Sequence, residues 1–215
     1  MDCKATVKLG EYSRGGETRG DNQALEHDLG QSDKAIPCGI VDEDSGVLFL
    51  GFGRTAKTSD FIVDNLNAWW GSLTTQQQTE TETIQIKVDN GPESSGVRTQ
   101  FLSRAVAWAD QIGKTLHLLY FPPYHSKYNP IERCWGILEL HWNGAKLMDW
   151  PTVLAWAKTM TWKGIHPIVY ENHARYQTGI SLSKVEMRPV EQRLERNPDL
   201  PKWDIWIRPK ATVLS

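Results

Sequence analysis

Cysteine is scarce: Cys3, Cys38 and Cys134 are spread over 215 residues. An odd number at such separations gives neither a disulfide framework nor a zinc-ligand spacing, so all three read as reduced thiols in or near a core. Long apolar runs are missing too. None approaches the roughly 20 residues that a bilayer-spanning helix needs, which excludes a helical membrane protein. Met1-Asp2-Cys3-Lys4 leads into an alternating pattern and not into an apolar leader, so the expected location is cytoplasmic. Charge of one sign is absent as well: 24 Lys and Arg against 26 Asp and Glu give a net charge of −2. That balance argues against a strongly basic, non-specific binder of nucleic acid, whose affinity comes from neutralising phosphates. It leaves open an enzyme on such a substrate, because carboxylates that hold cations lower the local count.

What is present supports a folded α/β chain. Apolar residues make up 40%, enough for a sizeable core at this length. Ten tryptophans are present, and Trp135, Trp142, Trp150, Trp156, Trp162, Trp203 and Trp206 all follow residue 130; large amphipathic rings of this kind fill a core and its rim. Alternation from Ala5 to Leu9 predicts a first strand that begins at the chain start, followed by a glycine-rich loop over Gly10 to Asp21. Ile36 to Val41 and Val47 to Phe52 predict two strands joined through Asp42-Glu43-Asp44-Ser45-Gly46, a hairpin turn. Ser59 can cap a helix carrying Ile62, Leu66 and Trp69 and ending at Gly71. After a polar stretch, Thr74 to Thr83, alternation over Ile84, Ile86 and Val88 predicts strand four. A helix from about Ser95 to Gly113, a strand from Thr115 to Phe121 and a helix from Asn129-Pro130 to about Trp142 follow. Another amphipathic helix is expected after Pro151. Lys184 to Lys210 carries seven basic and five acidic residues and reads as an extension wrapping back on the core.

Hairpin-linked strands followed by strands reached through helical crossovers make a mixed sheet covered by helices. This is the element order of a ribonuclease H-like fold: a mixed five-stranded sheet flanked by helices, with a C-terminal helical or irregular extension. The expected division is 1–145 for that domain, its first strand truncated, and 146–215 for the extension. Such a fold would gather three carboxylates: Asp2 on strand one, Asp89 at the carboxyl end of strand four, and Glu132 in the first turn of the following helix. Adjacent aspartates repel unless cations intervene. Magnesium prefers oxygen ligands, and two such ions about 3.5–4 Å apart can serve an in-line displacement at phosphorus.

Two segments then resemble a known group. Lys87-Val88-Asp89-Asn90-Gly91-Pro92-Glu93, and the run from Phe121-Pro122-Pro123-Tyr124-His125-Ser126-Lys127-Tyr128 through Asn129-Pro130-Ile131-Glu132-Arg133-Cys134-Trp135, look like the second and third catalytic blocks of mariner-like DDE transposases. Asp2-Cys3-Lys4-Ala5-Thr6-Val7-Lys8-Leu9-Gly10 with Tyr12-Ser13-Arg14-Gly15-Gly16 resembles the first block of the Rhodopirellula-type insertion-sequence transposases. The resemblance covers Asp2 to about Trp142, and its third block is the most specific part. It implies strand cleavage at transposon ends and joining to target DNA, with Asp2, Asp89 and Glu132 holding two Mg²⁺ or Mn²⁺ ions. The partners implied are DNA and further copies of the chain assembled on it, near the nucleoid and away from any membrane. Members of that family carry an N-terminal DNA-binding helical region, whereas this chain starts one residue before Asp2. A truncated copy with weak or no transposition is therefore expected.

Around the acidic trio, Lys4, His125, Lys127 and Arg133 are candidate DNA contacts, with exposed charge or a structural hydrogen bond as the plainer role of each. Asp42 and Asp44 are rival carboxylates whose turn setting favours solvation. Two readings from different classes stand side by side: an active strand transferase, and a folded remnant that only binds DNA or a full-length transposase. A nuclease outside transposition would share the same site.

Overall fold

The computed structural model describes residues 1–10, 33–122 and 128–211. Along the chain lie β1 (Asp2–Cys3), β2 (Val7–Lys8), β3 (Lys34–Val41), β4 (Leu48–Gly53), α1 (Ser59–Ser72), α2 (Thr75–Glu80), β5 (Thr83–Val88) and α3 (Thr99–Ile112). Then come β6 (Thr115–Tyr120), α4 (Pro130–His141), α5 (Trp150–Thr159), β7 (Ile168–Glu171), α6 (Lys184–Glu191), β8 (Leu194–Arg196) and β9 (Asp204–Ile207). The architecture is mixed α/β, with two mixed sheets and six helices among the described residues, consistent with a ribonuclease H-like fold. By its internal contacts the chain divides into two compact units, one of residues 2–56 and 130–175, the other of residue 1, 57–129 and 176–215.

The first unit holds a five-stranded sheet in the order β1-β3-β4-β7, with β2 also on β3. The hairpin β3–β4 turns as its sequence predicts: Asp42 Oδ1 accepts from the backbone N–H of Asp44 and Ser45, and Gly46 takes φ +74°. Asp42 is thus a turn former. The predicted first strand is two short pieces. β1 pairs Cys3 with Cys38, β2 pairs Val7 with Ala35, and the register slips by one residue between them. Such a slip is a β-bulge, and it falls where Pro37 has no N–H to give the ladder. The fifth strand, β7, lies beyond the predicted sheet and runs parallel to β4. Beneath the sheet, Leu48, Leu50 and Phe52 pack with Ile131, Leu138 and Trp142 of this unit, all buried. Five of the late tryptophans belong here, and Trp142 is fully buried, as a core role requires.

The second unit holds a four-stranded sheet, β5-β6-β9-β8. Parallel pairing of β5 with β6 runs the whole strand length, from Thr83 opposite Thr115 to Val88 opposite Tyr120. α3, the crossover between them, buries Phe101, Leu102, Ala105, Trp108 and Ala109 and ends at Gly113 in the left-handed conformation (φ +66°), the predicted stop. It starts at Thr99, later than expected. α1 is capped by Thr58, whose side chain accepts from Phe61 N–H, one residue before the predicted cap. The polar stretch after it folds as α2 through a Thr74/Gln77 capping box. The C-terminal stretch is more regular than its charge suggests: β9 pairs antiparallel with β6, and Gly96 allows the Lys202 carbonyl to come so close that any Cβ would collide with it.

Candidate metal centre

Asp89 is the first residue past β5, where the continuous ladder with β6 delivers the chain at a fixed point. Ser94 Oγ donates to the Asp89 carbonyl at 3.3 Å, which holds the turn that follows. The Asn129 amide donates to Asp89 Oδ1 at 3.3 Å and to the Met1 carbonyl at 3.2 Å, and the Met1 amino group donates to the Lys87 carbonyl at 2.7 Å. Asn129 is buried, so its amide has few alternatives to these partners.

Asp2 sits in β1 opposite Gly39. A Cβ at Gly39 would meet Ile131 and would lie 2.8 Å from the Trp135 ring. Glycine there is what lets α4 lie flat against β3. Because α4 lies so close, the Trp135 indole N–H reaches Asp2 Oδ2 at 3.4 Å. Glu132 stands in the first turn of the same helix, where the backbone dipole favours a negative side chain. Two of the three sequence-predicted acids are brought together within the first unit: one carboxylate oxygen from each of Asp2 and Glu132 lies within 4.8 Å of the other, while Asp89 belongs to the second unit.

A neutral thiol lies near Asp2. The Cys38 thiol is held well above its usual range by its hydrogen bond to Cys3, by burial and by the nearby Asp2 charge. Burial pushes Cys134, on α4, up to about 12. Of the predicted DNA contacts, Lys4 Nζ forms an ion pair with Glu139 at 2.8 Å, and Arg133 is exposed on α4. His125 and Lys127 lie outside the described residues. Sequence reading missed three supports of the site. Trp135 is both core and a hydrogen-bond donor to Asp2, which no spacing reveals. Gly39 inside an apolar strand was a signal of close backbone approach. Asn129 marked only the start of a helix in the sequence, yet its amide reaches Asp89.

The model of one protein family, the Rhodopirellula transposase DDE domain, matches residues 1–209. The chain belongs to that family. No curated protein and no solved structure matches it. A transposase of the DDE class acts on DNA. Among the described residues the donor set is three carboxylates, all oxygen, which suits a hard divalent cation. Among the described residues no helix is long and apolar enough to cross a membrane.

Proposed function

We propose that this chain cleaves DNA strands at transposon ends and joins them to target DNA, using two Mg²⁺ or Mn²⁺ ions held by Asp2, Asp89 and Glu132. The observation that carries the reading is that Asp2 and Glu132, distant in sequence, offer carboxylate oxygens within 4.8 Å of each other in a chain of a DDE transposase family. Divalent cations bound there supply positive charge that polarises a phosphodiester and eases ionisation of the attacking oxygen. The protein's share is to hold the three carboxylates ready. Trp135 fixes the Asp2 carboxylate through Oδ2, and Asn129 fixes Asp89 through Oδ1. Partners of this kind orient metal ligands and change affinity by about 10–100-fold when removed. Lys4 and Arg133, together with His125 and Lys127, are the proposed contacts to the DNA backbone. Residues 1–145 form the catalytic portion in this reading. The extension over 146–215 adds β7 to one sheet and β8 and β9 to the other. Assembly of several copies on DNA belongs to the same proposal.

Calorimetric titration with Mn²⁺ tests it. Saturable binding by the wild-type chain, lost in Asp89→Ala and in Glu132→Ala while the circular dichroism spectrum is kept, is the expected result. A folded wild-type chain that takes up no Mn²⁺ would overturn the proposal in favour of a remnant that binds only DNA or another transposase copy.

A further inference from the structure

Beside the acidic cluster, two cysteines face each other across a pair of strands. Cys3 in β1 stands directly opposite Cys38 in β3. The hydrogen bond next along the ladder runs from Lys4 N–H to the Pro37 carbonyl at 3.0 Å, which makes residues 4 and 37 the hydrogen-bonded pair. Cys3 and Cys38 are therefore a non-hydrogen-bonded pair, the type in which Cα atoms stand about 4.5 Å apart and side chains lie closest. That spacing falls inside the range a disulfide bridges, about 4.4–6.8 Å. The two thiols share a hydrogen bond, and both are buried.

We propose that Cys3 and Cys38 form a redox-responsive pair whose oxidation to a disulfide staples β1, and with it the backbone of Asp2, to β3. β1 is two residues long, and a bulge follows Lys4. The co-reactant is a peroxide, an oxidant small enough to enter a packed site. The sulfur of Cys3, the more exposed of the two, attacks one peroxide oxygen. The O–O bond breaks, Cys3 becomes a sulfenic acid and water leaves. The Cys38 sulfur then attacks the Cys3 sulfur, the S–O bond breaks, and the departing hydroxide takes the Cys38 proton as a second water. Two thiols and one peroxide give one disulfide and two waters. This pairing stands whether or not the carboxylates bind metal.

Hydrogen peroxide is added to the folded chain, and the thiols are alkylated after denaturation and mapped by mass spectrometry. The expected product lacks two hydrogens, joins Cys3 to Cys38 within one chain and leaves Cys134 alkylated. Its melting temperature is expected to rise by about 5 °C or more, and dithiothreitol should reverse the rise. Cys3→Ser should abolish both changes; if that variant does not fold, mapping of the wild-type chain decides alone. Three alkylated thiols, a link involving Cys134 or a second chain, or a linked form that melts no higher than the reduced one would each overturn the staple.

Discussion

Asp2 and Asp89 are the same residue type, yet the strands that carry them are secured by different means. β5 is laddered to β6 along all six residues, β6 is laddered in turn to β9, and α3 covers the pair. β1 offers two residues, paired to β3 and followed by a bulge. The position of Asp89 is thus written mainly in backbone hydrogen bonds, whereas around Asp2 side-chain packing by Gly39, Trp135 and the Cys3–Cys38 contact adds to the short ladder. Side-chain substitutions near Asp2 should therefore reach the proposed metal centre more directly than substitutions that loosen the β5 sheet.

The largest effect tests the packing of α4 on β3. Gly39→Val puts a Cβ bearing two methyl groups where Ile131 and Trp135 already sit. We expect a loss of about 2–3 kcal/mol in urea unfolding together with weakened Mn²⁺ binding. Unchanged stability would mean that α4 can withdraw from β3 at little cost. A smaller change isolates orientation from packing. Trp135→Phe keeps an aromatic body but removes the donor to Asp2 Oδ2, so Mn²⁺ affinity should fall about tenfold with the fold intact. Equal affinity in that variant would show that β1 alone positions Asp2.

The smallest expected effect lies on the β5 side. Arg193 grips Asp110 of α3 at 2.7 and 3.1 Å, and this guanidinium, helped by the Lys210 N–H, holds the Asp110 carboxyl below its usual range. A depressed carboxyl stabilises the fold above its unfolded-state value, near pH 4, and loses that contribution as pH falls through the lower folded value. Arg193→Ala should then cost about 1 kcal/mol at neutral pH, a gap that closes in acid, while Mn²⁺ affinity stays at the wild-type level. A drop in affinity equal to that of Trp135→Phe would erase the distinction between the two strands.

Local patterns were readable wherever one short-range cause dominates. The Asp42–Gly46 turn, the Gly113 stop, Pro130 opening α4 and the alternation of Ile84, Ile86 and Val88 each follow from backbone chemistry within a few residues. The Thr74/Gln77 capping box was equally present in the sequence and went unread because the stretch carries no apolar face. β7, β8 and β9 were not legible for another reason. They are three or four residues long, and partners far away in sequence make them strands: β4 for β7, and β6 for β9. Propensity over so few positions is too weak to compete with charge and proline in the reading.

Residue identity and spacing alone determined the order of the longer elements through α4, α2 excepted, and marked three acids as candidates for divalent-cation chemistry, because these rest on periodicity and on donor type. Tertiary structure decided the rest. It broke the first strand at Pro37, drew α4 onto Gly39, aimed the Trp135 indole at Asp2 and set Cys3 against Cys38. Those outcomes depend on which strand or helix lies within a few ångströms of another, a distance that close packing sets and sequence separation does not encode.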